Sequence, residues 1–419
     1  MKILIKNIKS MVMVFDSPKL KLSGAEMKNI PQLENSWLAI EDGMIADFGL
    51  MENWEGISDW RDLTVLDAEG KYVFPSWCDS HTHIVYAGSR EQEFVDRIDG
   101  LTYEDIANRG GGILNSAEKL RHTSEDELFE SAMARLEEIK WMGTGAVEIK
   151  SGYGLTLASE IKMLRVIKKL KEISPLTIKS NLLAAHAIPK EYANNRSGYI
   201  DLIINEIIPT AASENLADYI DVFCDKGFFT PNETERILIA GEKYGMVGKI
   251  HANELDFSGG IQVGVAQKVL SVDHLQFTGD EEIAILKTSP TMPTLLPTTA
   301  FFLKLIYPPA RKMIDNGLAV ALASDYNPGS SPSGKMTFVQ SLACLYMGMS
   351  PEETIAASTL NSAYAMGVND ILGSIEIGKK ANLFITKQIP SLSYLAYSFG
   401  SDLIETVILN GIVQEKQLQ

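Results

Sequence analysis

Along residues 1–70, apolar and polar positions alternate in short runs broken by Gly, Pro and Asn. Trp37-Leu38-Ala39-Ile40 and the run from Met44 flank the turn residues Asp42-Gly43, which predicts a β-hairpin. From about residue 71 the texture changes: strand-length apolar runs alternate with helix-length amphipathic segments, the sequence form of repeated βα units around a parallel sheet. The predicted strands are Tyr72–Asp79, Ala146–Lys150, Ile178–Ala185, Tyr219–Cys224, Val247–His251, Ser271–Leu275, Thr291–Leu295 and Ala319–Ser324. Helices are expected at Ser124–Lys140, Leu157–Ile173, Pro231–Tyr244 and Ser258–Leu270, the first opening on the capping box Ser124-Glu125-Asp126-Glu127. This succession predicts an α/β fold, a (β/α)8 TIM barrel, with a doubly wound open sheet as the alternative. After a helix ending near Met366, strand texture returns in Gly373–Ile385 and Glu405–Leu409. Both chain ends are thus β-rich, and 1–70 and 368–419 are expected to form one small β-sandwich domain around a barrel spanning 71–367.

Composition narrows the class. The 419 residues carry 38 Lys+Arg against 54 Asp+Glu, a net charge of −16, so a nucleic-acid partner is not expected. Hydrophobic residues at 45% and charged residues at 22% suit a packed globular protein rather than a disordered one. Cys78, Cys224 and Cys344 form no CxxC pair, which speaks against a disulfide framework or a cysteine-rich zinc site and for a reducing compartment. The apolar run after Met1 is shorter than a signal peptide's, and no segment reaches the ~18 residues of a membrane span. A soluble cytoplasmic protein with no membrane partner is expected.

Candidate chemistry lies at the predicted strand ends, which converge on one face of a barrel. Of six histidines, four fall there: His81, His83, His251 and His274. In the extended run Asp79-Ser80-His81-Thr82-His83, positions i and i+2 share a face, so both imidazoles can reach one ion. With His251 ending the fifth strand and Asp325 directly following the eighth, imidazole nitrogens and a carboxylate suit zinc or iron with a position left for water. Asp325 is alternatively a helix N-cap. Glu254, three residues after His251, is placed to shuttle a proton, or else is an ordinary first-turn glutamate.

The segment Phe74-Pro75-Ser76-Trp77-Cys78-Asp79-Ser80-His81-Thr82-His83 resembles the first-strand signature of the amidohydrolase superfamily, and Gly373–Ile385 resembles its closing β-sandwich. Ser151-Gly152-Tyr153-Gly154-Leu155, His251-Ala252-Asn253-Glu254 and the run Ser324-Asp325-Tyr326-Asn327-Pro328-Gly329-Ser330-Ser331-Pro332 are similar to the branch that opens the ring of 4-imidazolone-5-propanoate in histidine degradation. The resemblance implies hydrolysis of a ring C–N bond to N-formimidoyl-L-glutamate, with one divalent or trivalent metal ion on His81, His83, His251 and Asp325. It further implies that Arg90, Tyr153, His186, Glu254 and Ser330 contact the substrate and that Asn327 and Gly329 face the product. Asn253 stands where an acidic residue is expected and is read as pointing away from the metal.

Physical reasons stand beside some of these roles. A guanidinium fork matches the propanoate carboxylate, although Arg90 is alternatively a solvated partner of Glu91 or Glu93. Gly152 and Gly154 let the backbone around Tyr153 approach a ligand. In the expected mechanism His274 hydrogen-bonds the attacking water or the oxyanion, Asp325 takes a proton, and Glu254 protonates the departing nitrogen. His122 is expected on the surface, the cysteines as buried thiols, and Lys150 and Lys226 outside any second metal site. The partner is a small molecule, and a homodimer is expected. The alternatives are a metal-dependent deaminase of a heterocycle such as guanine or cytosine, and a structural homologue without activity.

Overall fold

The computed structural model describes residues 2–101 and 111–416. The chain opens with β1 (Lys2–Val12), the expected hairpin of β2 (Gln32–Glu41) and β3 (Met44–Leu50), then β4 (Leu63–Asp67) and β5 (Tyr72–Pro75). The eight strands that follow are β6 (Trp77–Thr82), β7 (Thr144–Lys150), β8 (Thr177–Ala185), β9 (Tyr219–Cys224), β10 (Val247–Ala252), β11 (Ser271–His274), β12 (Met292–Leu295) and β13 (Ala321–Leu322). The chain closes with β14 (Leu383–Thr386), β15 (Ile404–Leu409) and β16 (Ile412–Val413).

β6 to β13 pair in parallel in chain order, with helices between them. Two backbone hydrogen bonds join the segment just after β13 to the end of β6: Asp325 N donates to His81 O at 3.0 Å, and His83 N donates to Tyr326 O at 2.9 Å. This is a nearly closed (β/α)8 barrel, and the open-sheet alternative is set aside. The remaining strands form one mixed sheet in the order β16-β15-β14-β5-β1-β2-β3, with β4 beside β1. The two chain ends therefore share a sheet with its own apolar core, built from residues such as Ile5, Ile8, Leu38, Ile40, Val73, Leu383 and Ile408.

Three of the differences from the expected elements concern the barrel. The run Tyr72–Asp79 is not one strand: Tyr72–Pro75 pairs antiparallel with β14 in the mixed sheet, and only Trp77 onward enters the barrel. Hydropathy does not distinguish them, because both halves are buried throughout. Phe74 stacks on Phe384 at 5.1 Å and Trp77 lies 4.8 Å from the same ring, welding the sheets at the crossing. Each such burial contributes about 1.5–3 kcal/mol. The eighth strand shrinks from Ala319–Ser324 to Ala321–Leu322, because Ser324 instead binds the Asp79 carboxylate through its backbone N and hydroxyl. The helix expected over Ser258–Leu270 spans Gly260–Ala266, bounded by Gly259 and Lys268 in left-handed conformations. The capping box at Ser124 forms as expected: Glu127 N donates to Ser124 Oγ at 3.2 Å and Ser124 N to the Glu127 carboxylate at 3.0 Å. No helix among the described residues is long and apolar enough to cross a membrane.

Candidate active site

The C-terminal ends of the barrel strands surround a cavity of about 540 Å³. Its lining includes His83, Arg90, Tyr153, His186, His251, Glu254, His274, Asp325, Asn327, Gly329 and Ser330, so every candidate side chain except His81 reaches it. His81 lies buried beside His83 and His251 in the same cluster.

Barrel closure brings the distant ligand candidates together. Asp325 Oδ1 lies 3.5 Å from both His81 Nε2 and His83 Nε2, and the His81 and His251 rings are 4.4 Å apart. Ligand atoms of His81, His83 and Asp325 can share one ion, as can those of His81, His251 and His274. The chemistry of this donor set fits a metal. The Nε2 atoms of His81 and His251 are buried with no hydrogen-bond partner. Their opposite Nδ1 atoms contact carboxylates, His81 with Asp273 at 2.7 Å and His251 with Asp221 at 3.0 Å. An ionised carboxylate only accepts, so each Nδ1 carries the proton and each Nε2 presents a lone pair. Burial, then the positive charge of Lys150, holds His81 well below the ordinary histidine range, which keeps that ring neutral. His83 is held low by burial and then by His186.

Beneath the histidines lies a buried charge network. Lys150 Nζ donates to Glu148 at 2.6 Å and to Asp221 at 2.7 Å, and Lys249 pairs with Glu148 from the other side. Although burial pulls it down, Asp221, Glu148 and Asp273 hold the Lys150 ammonium well above its usual range. Lys150 is thus a structural cation, and Lys226 is an exposed partner of Asp256.

The proton-transfer candidates are distinct in environment. Burial, then Asp325 and Asp225, pushes the Glu254 carboxyl well up. Its Oε2 stands 3.6 Å from His274 Nδ1, which has no hydrogen-bond partner. Asp325 is pushed up to about 6 by burial, against a hydrogen bond from Thr299. Backbone strain gathers here: Asn253, His274, Leu275 and Asp325 all hold left-handed φ values between 52° and 86°, conformations that bulky side chains rarely adopt. Asn253 turns away from the cluster and donates to Phe277 O at 2.9 Å.

Arg90 combines the two readings open for it in sequence. Its guanidinium faces the cavity and also pairs with Glu93 at 2.5 Å, and it is half-buried rather than fully solvated. A Cβ on Gly329 would lie 1.9 Å from Arg90 Nη1, so only glycine admits that approach. Asn327 shapes the same loop, accepting from Gly329 N and Ser330 N at 2.8 Å each. His122 is exposed beside Glu118, as expected. Of the cysteines, Cys78 and Cys224 are buried, whereas Cys344 is only half-buried.

Asp221, Asp273, Lys150 and Thr299 carry the site from behind, and sequence reasoning missed all of them in these roles. The available signal was a lone acid inside an apolar strand, as in Tyr219-Ile220-Asp221-Val222-Phe223, where an unpaired charge would be costly.

Residues 232–413 match the amidohydrolase family profile. The chain is 55% identical over 411 residues to an imidazolonepropionase of Christiangramia forsetii, covering 98% of this chain and 99% of that protein. An imidazolonepropionase of Geobacillus kaustophilus is 41% identical over 413 residues, covering 98% and 97%. Among solved structures, an atrazine chlorohydrolase from Arthrobacter aurescens complexed with zinc superposes with a TM-score of 0.74 at 16% identity, covering 98% of this chain and 94% of that one. An adenosine deaminase from Xanthomonas campestris with bound zinc gives a TM-score of 0.67 at 15% identity, covering 98% and 92%. At these identities the solved structures share the fold alone.

Proposed function

The chain belongs to the imidazolonepropionase family of amidohydrolases, and from that premise we propose that its cavity opens the ring of 4-imidazolone-5-propanoate by C–N hydrolysis in histidine degradation, yielding N-formimidoyl-L-glutamate. The observation that carries this reading is that one cavity joins the histidine–carboxylate cluster to a half-buried arginine. A hydrolase of an uncharged heterocycle has no use for that cation, whereas a propanoate tail requires one.

His81, His83, His251 and Asp325 hold one metal ion, zinc or iron. Such an ion supplies Lewis-acid activation of water at neutral pH. Arg90 fastens the propanoate carboxylate, and Tyr153 and His186 flank the ring. Asp325, whose Oδ2 accepts from Thr299, takes a proton from the attacking water. His274 donates to the oxygen on which charge develops. Glu254, whose pKa burial raises, gives its proton to the ring nitrogen as the C–N bond breaks. One water is consumed, one C–O bond forms, and the nitrogen stays in the product. Asn327, Gly329 and Ser330 meet that product in the loop after β13. Residues 71–367 form the catalytic domain of this reading, with 1–70 and 368–419 as its companion; the enzyme works in the cytoplasm as a homodimer.

The test is incubation of metal-loaded protein with freshly generated 4-imidazolone-5-propanoate. Loss of the imidazolone absorbance with formimidoylglutamate formed and no ammonia released is the expected result. Ammonia release, or turnover of guanine or cytosine instead, would establish the deaminase.

A further inference from the structure

We propose that Glu160 is a positioning residue that sets the wall formed by Tyr153 and His186, an inference resting on the reading of that wall as substrate-binding. Glu160 lies in the first turn of the helix Leu157–Ile173, where a glutamate ordinarily faces water, yet it is fully buried. Its carboxylate turns back over the loop between β7 and that helix. Oε1 accepts from Gly154 N and Leu155 N at 2.8 Å each, and Oε2 accepts from Gly152 N at 3.2 Å. The Ser151 hydroxyl bonds the same carboxylate and accepts from Leu183 N at 2.9 Å, which ties the arrangement to β8.

These donors bracket Tyr153 on both sides. The glycines leave no slack: a Cβ on Gly154 would lie 2.4 Å from Glu160 N, and one on Gly152 would lie 2.8 Å from His186 Nδ1. Gly152 O is 3.0 Å from His186 Nδ1, and a carbonyl only accepts, so that nitrogen carries the proton and Nε2 is left as an acceptor. One carboxylate thereby orders the backbone that sets the His186 tautomer and places the Tyr153 ring 5.8 Å from His83 and 5.5 Å from His186. The helix itself does not need the group, since alanine forms helix at least as well. A buried carboxylate without partners is costly, and the partners this one has belong to the loop.

The experiment compares Glu160→Gln with the parent enzyme. A glutamine keeps the shape, but its NH2 meets backbone N–H groups on one side and cannot accept from them. Metal content should be unchanged, and kcat at saturation should stay within about threefold. KM, and the Kd for the unreactive probe imidazole-4-propanoate, should each rise at least about tenfold, as expected for lost hydrogen bonds to a charged group. A purely scaffolding role would lower Tm and leave KM and Kd alone, and that result overturns the proposal. Gly154→Ala, which pushes the loop off the same carboxylate without removing it, should show the same split and decides the matter if Glu160→Gln does not fold. Tyr153→Phe and His186→Gln separate the two levels. If neither moves KM, the substrate-wall reading fails; if they raise KM while Glu160→Gln and Gly154→Ala do not, only the role of Glu160 fails.

Discussion

Replacing Asp221 by asparagine should cripple metal binding without removing a ligand. Asp221 Oδ1 is the partner of His251 Nδ1 at 3.0 Å, while Oδ2 accepts from Lys150 Nζ at 2.7 Å and from Asn181 Nδ2 at 3.1 Å. The Lys150 ammonium only donates, so the amide oxygen of an asparagine must stay on the Oδ2 side and its NH2 must face His251. That NH2 donates to Nδ1, which drives the imidazole proton to Nε2, the atom aimed at the cluster. A protonated Nε2 has no lone pair to give. The flipped amide avoids this only by setting an NH2 against two donors, which costs about 1–3 kcal/mol for each buried group left unsatisfied. Loss of such an orienting carboxylate typically costs 10–100-fold in metal affinity, about 1.4–2.7 kcal/mol. Competition with a coloured chelator reads the affinity, and nitrogen-15 NMR of the metal-free protein reads the tautomer. Wild-type affinity in a folded Asp221→Asn protein, with the proton still on Nδ1, would refute the reasoning.

Glu254 and Arg90 supply the remaining outcomes. Glu254→Gln should keep its metal and lose about 10²–10⁴ in kcat, because the amide cannot exchange a proton. Since Glu254 must be protonated to act as an acid and its environment raises its pKa, wild-type kcat should fall as pH rises through that value, and a pH–rate profile of the variant should lack this limb. Arg90→Ala should raise KM at least about tenfold at unchanged metal content, with Arg90→Lys only partly restoring it, because an ammonium lacks the fork. Steady-state kinetics beside metal analysis checks it, and an unaltered KM would show that the carboxylate is held elsewhere.

Periodicity and local spacing carried much of the site. His81 and His83 share a face because strand side chains alternate, and His251 and Asp325 fall at strand ends because apolar runs stop there. The barrel was legible for the same reason, since alternation of strand-length and helix-length apolar segments is a property of the chain alone. What the sequence left undecided was non-local. Tyr72–Pro75 and Trp77–Thr82 look alike in hydropathy, and only their partners, β14 and β7, assign them to different sheets. Arg90 faces the cavity while pairing with Glu93, which spacing alone could not separate from a solvated pair. His81 meets Asp273 across 192 residues, and Lys150 meets Asp221 across 71. A buried charge is tolerated only when its partner arrives in three dimensions, so the tautomers of the histidines, and with them the lone pairs aimed into the cavity, are settled by the closed barrel and by nothing shorter.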